Sequence, residues 1–299
     1  MLGTFVDIAC EASTSESAHQ MIDLAYQKIA RVESMMSFHD ADSEVSCLNR
    51  EALFRDISVS QELLTVLTAG LTISRTSGGQ FDFTAVSPLL SRGWLPPVNA
   101  PSALSGTWRD VEVSADGRVR FHAPLIIDLG GIAKGFAVDL AVSALQAGGA
   151  NAGCVNAGGD LVMFGRPRHI KVRHPAQPGH RLVLGFLADC AVCTSGSYFA
   201  IDDGARAPLA IVDPRTLALV PGGRSYSVIA KSCMLADALT KVAVFADDDD
   251  RGEECVATLR ANAARVIVVD RGGAVRWLSF ENDAPHAVEL AESVLRSSS

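Results

Sequence analysis

The residues best suited to chemistry in this chain form one stretch, Asp128-Leu129-Gly130-Gly131-Ile132-Ala133-Lys134-Gly135-Phe136-Ala137-Val138-Asp139. A carboxylate ends the apolar run Leu125 to Ile127, two glycines follow, and a lysine opens a helix-like pattern. In order, this reads as strand, tight turn and helix N-terminus. Glycines let a backbone approach a ligand closely, and the N–H groups at a helix start attract anions. The turn therefore has anion-site chemistry with one ammonium and one carboxylate attached. It matches neither common phosphate motif. Gly130 and Gly135 have P-loop spacing, but the lysine precedes the second glycine and Phe136 follows it. The Gly-x-Gly-x-x-Gly fingerprint is missing from the stretch, which weighs against a dinucleotide-dependent oxidoreductase.

Four further polar clusters fall in expected turns: Ser37 to Ser43 with His39, Gly79 to Thr84 with Gln80, Phe81 and Asp82, Asn156 to Asp160, and Thr194 to Ser197 together with Ile211 to Thr216. Each alone reads as a turn. Five in one chain, with Asp237 on a later helical stretch, point to a site.

The elements that must carry them follow from periodicity. Ile22, Ala25, Ile29, Val32 and Met36 recur at helical spacing, predicting a helix over about 16–36. Ser60 caps a second helix with Leu63, Leu64, Leu67 and Leu71, closed by Gly78-Gly79. Asp110 to His122 alternates around Asp116-Gly117 as a hairpin does. A helix after the lysine ends at Gly148-Gly149. Strands are expected at 5–9, 161–164, 170–173, 182–187, 191–195, 210–212, 227–230, 266–270 and 275–280. Helices are expected at 235–246, 252–262 and the C-terminus, with Asp247 to Asp250 as a solvated turn. The elements mix without strict alternation, which favours an α+β fold over a doubly wound sheet. With no repeat and no linker, one domain over 1–299 is the expectation.

Composition narrows the partners. The 299 residues are 48% hydrophobic and 20% charged, with a net charge of −8. No apolar run of 18 residues suggests a membrane span. No basic cluster with interleaved aromatics suggests nucleic acid. The N-terminus has no basic region followed by an apolar one, so the sequence as it stands reads as cytoplasmic, or as periplasmic or membrane-anchored if a leader is missing. Seven scattered cysteines do not read as a disulfide framework, and Cys190 to Cys193 reads as core strand.

Taken in order, these clusters resemble the ApbE family, the FAD:protein FMN transferases. The resemblance runs from Leu2-Gly3-Thr4, through Met36 to Asn49, Gly79 to Thr84, Asp128 to Asp139, Asn156 to Asp160, Thr194-Ser195-Gly196 and Asp213-Pro214-Arg215-Thr216, to Ala236-Asp237-Ala238-Leu239. It implies an α+β, T-fold-like domain with FAD in a central cleft and a magnesium ion. It implies transfer of FMN to a threonine hydroxyl of a target flavoprotein, with release of AMP. Leu2, His39, Gln80, Phe81, Asp82, Asp128, Lys134 and Asp160 match positions expected to bind FAD. Asp237 and the Gly131 carbonyl match the metal positions.

Two positions depart from the family pattern. Ala210 stands where the family has a histidine, a candidate base, leaving His39 or Asp213 to accept the proton. Lys241 stands where the family has a threonine, four residues after Asp237, and so shares its helix face. An ammonium there either repels magnesium or replaces it in part. The alternatives are an FAD-binding protein that does not transfer, and an FAD pyrophosphatase.

Overall fold

In a computed structural model, residues 1–97, 103–196 and 211–278 are described. The helices are α1 (Ser15–Met36), α2 (Glu44–Glu51), α3 (Gln61–Thr76), α4 (Ser87–Ser91), α5 (Ala133–Ala147), α6 (Cys233–Ala243) and α7 (Gly252–Ala261). The strands are β1 (Val6–Glu11), β2 (Ile57–Ser58), β3 (Val111–Val113), β4 (Arg118–Phe121), β5 (Ala152–Ala157), β6 (Asp160–Phe164), β7 (Arg168–His174), β8 (Gln177–Leu187), β9 (Cys190–Gly196), β10 (Ser225–Ala230), β11 (Arg265–Val269) and β12 (Val275–Leu278). The fold is α+β.

Seven strands form one sheet in the order β1-β5-β6-β9-β10-β11-β12, and every neighbouring pair is antiparallel. Its alternating side chains face two different cores. Val155, Ala191, Cys193, Val228 and Val266 point to the layer of α1, α5 and α6. Met163, Val192, Ile229 and Ile267 point the other way, onto Ile170, Val172, Leu184 and Leu187 of the β7–β8 hairpin. With both faces covered, β10 is buried at all six positions. That explains why its sequence, Ser-Tyr-Ser-Val-Ile-Ala, ends in three consecutive apolar residues instead of alternating throughout.

The expected Ser60 cap holds, Ser60 Oγ accepting from Leu63 N at the start of α3. At the start of α1, Thr14 forms a capping box with Ser17 that was not expected. The cysteine pair falls in β9, with Cys193 buried beside Cys233, their sulfurs 3.3 Å apart. Three expectations change. Leu125 to Ile127 forms no strand and belongs to no sheet. The side chain of Asn49 replaces a neighbouring strand: Asn49 Nδ2 donates to Ile127 O at 3.0 Å, and Ile127 N donates to Asn49 Oδ1 at 2.8 Å. Helix α2, which carries Asn49, was not among the expected elements; its eight residues hold only two turns of pattern. Val212 makes a single bridge to Leu219 rather than a strand. Ala210 and the expected C-terminal helix lie outside the described residues.

Candidate active site

The Asp128 turn is set by tethers on either side. Asn49 holds Ile127 from one side, and Asp128 N donates to Phe83 O at 2.9 Å from the other. The Gln80-to-Thr84 turn is therefore the neighbour of the Asp128 backbone. Asp82 Oδ1 accepts from Thr84 N at 2.8 Å and from Thr84 Oγ1 at 2.6 Å, closing that turn on itself. Phe81 and Phe83 bury their rings in the core. Asp128 accepts from Gly130 N at 3.0 Å. Burial pushes its carboxyl above the ordinary value, although Lys134, His39 and Lys241 pull it back. Asp82 is pushed up by burial in the same way.

Behind this turn lies a cluster of four charges. Asp160 leads β6, reached from β5 through Gly158-Gly159, both at positive φ, a conformation that favours glycine. Lys134 Nζ lies 3.1 Å from Asp160 Oδ2, 3.3 Å from Asp237 Oδ2 and 3.0 Å from Gly130 O. Burial alone would lower the Lys134 ammonium, but the two carboxylates overcome it and hold the group well above its usual value. Asp237 is 1% exposed. Burial opposes its charge, yet Lys134 and Lys241 outweigh burial and hold the carboxyl below the usual range. Asp160 goes the other way, raised by burial and further by Asp237.

Lys241 is the fourth charge. Its Nζ lies 2.5 Å from Asp237 Oδ1 and 3.0 Å from the carbonyl of the same residue, the reach of an i,i+4 pair. Thr240 turns away, donating to Asp237 O at 2.6 Å and meeting Ser195 Oγ at 2.7 Å. The helix-start anion anticipated from the glycines is supplied internally: Gly135 N donates to Asp237 Oδ2 at 3.3 Å. Two helices carry this geometry, and they touch closely. A Cβ built on Gly135 would fall against the Cys233 carbonyl, 2.5 Å from its carbon and 2.7 Å from Met234 N. Asp139, at the far end of the motif, accepts from Cys233 N at 2.8 Å and Met234 N at 2.9 Å. That carboxylate therefore anchors the start of α6, four residues before Asp237.

A cleft of about 120 Å³ opens in front of the cluster, lined by Gln80, Phe81, Asp82, Asp128, Gly131 and Lys241, with Ile211, Val212 and Pro214 across from them. Lys134, Asp160 and Asp237 sit behind its wall. His39 is exposed near Asp128. Leu2 is apart from the cleft wall, its N donating to Glu33 Oε1 at 2.7 Å. Asp213 is committed elsewhere: its Oδ1 accepts from Arg251 Nη1 at 3.0 Å and from Arg215 N at 2.9 Å. The same Arg251 nitrogen donates to Gln80 Oε1 at 3.2 Å, and Nη2 donates to Asp248 at 2.7 Å. Arg251, which no motif singles out, thus ties the two sides of the cleft together. Its sequence signal, a lone arginine after an acidic run, is that of a surface residue.

Comparison with known proteins gives this geometry its family. The sequence pattern of the ApbE family matches residues 2–267. The chain belongs to the ApbE family. It is 28% identical over 269 residues to the FAD:protein FMN transferase of Vibrio cholerae, covering 81% of this chain and 76% of that one. It is 29% identical over 228 residues to the FAD:protein FMN transferase of Rhodobacter capsulatus, covering 70% of this chain and 43% of that one. Among solved structures, the ApbE protein of Thermotoga maritima superposes with a TM-score of 0.79 at 29% identity, covering 92% of this chain and 94% of that one. The Vibrio cholerae flavin transferase ApbE shares the fold with a TM-score of 0.72 at 24% identity, over 93% of this chain and 94% of that one. The family is one of flavin transferase enzymes with FAD as substrate. No helix among the described residues is long and apolar enough to cross a membrane.

Proposed function

We propose that this chain is an FAD:protein FMN transferase whose FAD pyrophosphate lies against Lys241 at the Asp128–Gly131 turn. The observation that carries the reading is the Lys134–Asp160–Asp237–Lys241 cluster beside that turn, in a chain whose relatives are FMN transferases. In the reaction, a threonine oxygen of the target flavoprotein bonds to the FMN phosphorus. The pyrophosphate P–O bond breaks, AMP leaves with the bridging oxygen, and the hydroxyl proton passes to a base. The leaving phosphate gains negative charge as that bond breaks, so fixed positive charge helps most in the transition state. Of the two bases the sequence suggested, Asp213 is occupied by Arg251, whereas the His39 ring accepts or donates no hydrogen bond among the described residues. His39 is therefore the base we assign. The cleft is smaller than the roughly 300 Å³ at which small-molecule sites begin, so a dinucleotide would occupy it in part and extend past His39 and Pro214.

The side chains present bear on the magnesium ion that the resemblance implies. It takes oxygen ligands at about 2.0–2.1 Å in near-octahedral order and keeps several waters. Asp237 Oδ1 already has an ammonium at 2.5 Å, and Oδ2 has an ammonium and a backbone N–H, both at 3.3 Å. The residues as arranged do not fit the ion.

The test is to incubate the protein with FAD and a flavoprotein domain bearing an acceptor threonine. Covalent flavin, seen by in-gel fluorescence, should appear together with AMP. AMP without covalent flavin would replace transferase by pyrophosphatase. Tight FAD binding with neither product would make the chain a non-transferring FAD binder.

A further inference from the structure

We infer that Lys241 is the resident cation of the Asp237 site, so that FAD binding to this chain needs no divalent metal. The inference rests on the FAD reading above and concerns what neutralises the pyrophosphate.

Three observations carry it. An ammonium has three N–H donors. Two are spent on Asp237, one on Oδ1 at 2.5 Å and one on the main-chain carbonyl at 3.0 Å. The third remains on a side chain that is 23% exposed and lines the cleft. Among the described residues the group is thus held by two bonds and offers one donor to an anion. Next, the lysine stem has a built bed. Lys241 Cε lies 3.2 Å from where a Cβ on Gly131 would stand, so a side chain there would crowd the stem. Gly131 of the motif makes room for this lysine. Finally, Asp237 is saturated. Lys134, Lys241 and Gly135 N all point donors at its two oxygens, and the residue is 1% exposed. A hydrated divalent ion would have to displace one ammonium from a carboxylate with almost no contact to solvent.

The charges are consistent with this. Lys134 and Lys241 balance Asp160 and Asp237, so the cluster is neutral without a metal and its free donor faces the cleft. A metal bound beside both lysines would place three cations around one carboxylate.

The experiment uses the full chain stripped with EDTA. In the first arm, FAD is titrated by flavin fluorescence in EDTA and again in millimolar Mg²⁺. The two affinities should agree within about threefold, less than 1 kcal/mol. In the second arm, Mn²⁺ is titrated by electron paramagnetic resonance without FAD. The unaltered protein should show no site that Asp237→Asn removes. Lys241→Thr should gain one, and its FAD affinity should become metal-dependent by about tenfold or more. An Asp237-dependent Mn²⁺ site in the unaltered protein would overturn the inference. So would a tenfold loss of FAD affinity in EDTA. Neither result depends on whether Lys241→Thr folds, and the EDTA comparison uses the unaltered chain alone. If FAD binds under neither condition, the FAD reading falls, while the Mn²⁺ arm still decides whether the lysine holds the site.

Discussion

Gly135→Ala sets two opposed effects against each other at one position. Gly135 is the third residue of α5, and replacing a helical glycine by alanine ordinarily stabilises by up to about 1 kcal/mol. The added methyl, however, would stand 2.5 Å from the Cys233 carbonyl carbon and 2.7 Å from Met234 N. Comfortable contact begins near 3.5 Å. The obstacle is the backbone of the first turn of α6, itself pinned by Asp139, so no flexible side chain can yield. The helices must part by about 1 Å. Overpacking of this kind typically costs about 1–3 kcal/mol, and the helix gain is reduced near a helix end, so the clash wins. The variant should be about 1–2 kcal/mol less stable, read as a lower urea midpoint with unchanged slope. The functional loss should be larger. Asp237 and Lys241 ride on the displaced helix, and an error of about 1 Å in a reacting geometry can cost about 10²-fold in rate. A variant at least as stable as the parent, with unchanged FAD affinity, would refute the close-packing account of this glycine.

Three further outcomes follow from the same structure. Asp139→Asn keeps one acceptor but turns an N–H toward another N–H at the start of α6; it should lose about 1–2 kcal/mol of stability in urea denaturation, and an unchanged midpoint would mean that the carboxylate does not anchor the helix. Arg251→Gln should raise the KM for FAD about tenfold while kcat stays within about threefold, because Gln80 and Asp213 lose their common partner; Arg251→Lys should restore part of the affinity, and a fall in kcat alone would reject the positioning role. Asp128→Asn should raise the urea midpoint at pH 7. Burial raises the folded-state pKa of Asp128 above its unfolded value, so ionisation costs stability as pH rises through that interval. The gain should be present above the folded-state value and vanish below about pH 4, where the carboxyl is protonated in both states; a gain that persists in acid would assign the effect to packing instead.

The parts of this site that were readable in sequence are the local ones. The Asp237–Lys241 pair needs only helical spacing, and the Asx turn at Asp82 needs only its own next two residues. The two-glycine turn that delivers Asp160 is equally local. Convergence was less readable. Asn49 reaches Ile127 across 78 residues, and its amide does the work of a strand, so the run Leu125 to Ile127 carries a strand-like pattern with no sheet to join. Arg251 meets Asp213 across 38 residues and Gln80 across 171, with nothing periodic to mark it. Side-chain to backbone and ion-pair contacts at such separations leave no trace in spacing, because they are decided by how helices and loops pack after the core forms.

Asp237 shows why that distinction matters for function. By itself a carboxylate buried to 1% would protonate rather than stay ionised. It keeps its charge because α5 brings Lys134 and Gly135 N to one oxygen while its own helix brings Lys241 to the other. Remove the α5 donors and the i,i+4 lysine alone must stabilise a charge almost without water, a pair that near a surface contributes only about 0.3–0.5 kcal/mol. The cation at the cleft is therefore a property of the α5–α6 contact and not of Lys241 in isolation. Anything that separates those helices, whether a methyl on Gly135 or an amide at Asp139, should lower the charge state of Asp237 and the affinity for an anion together.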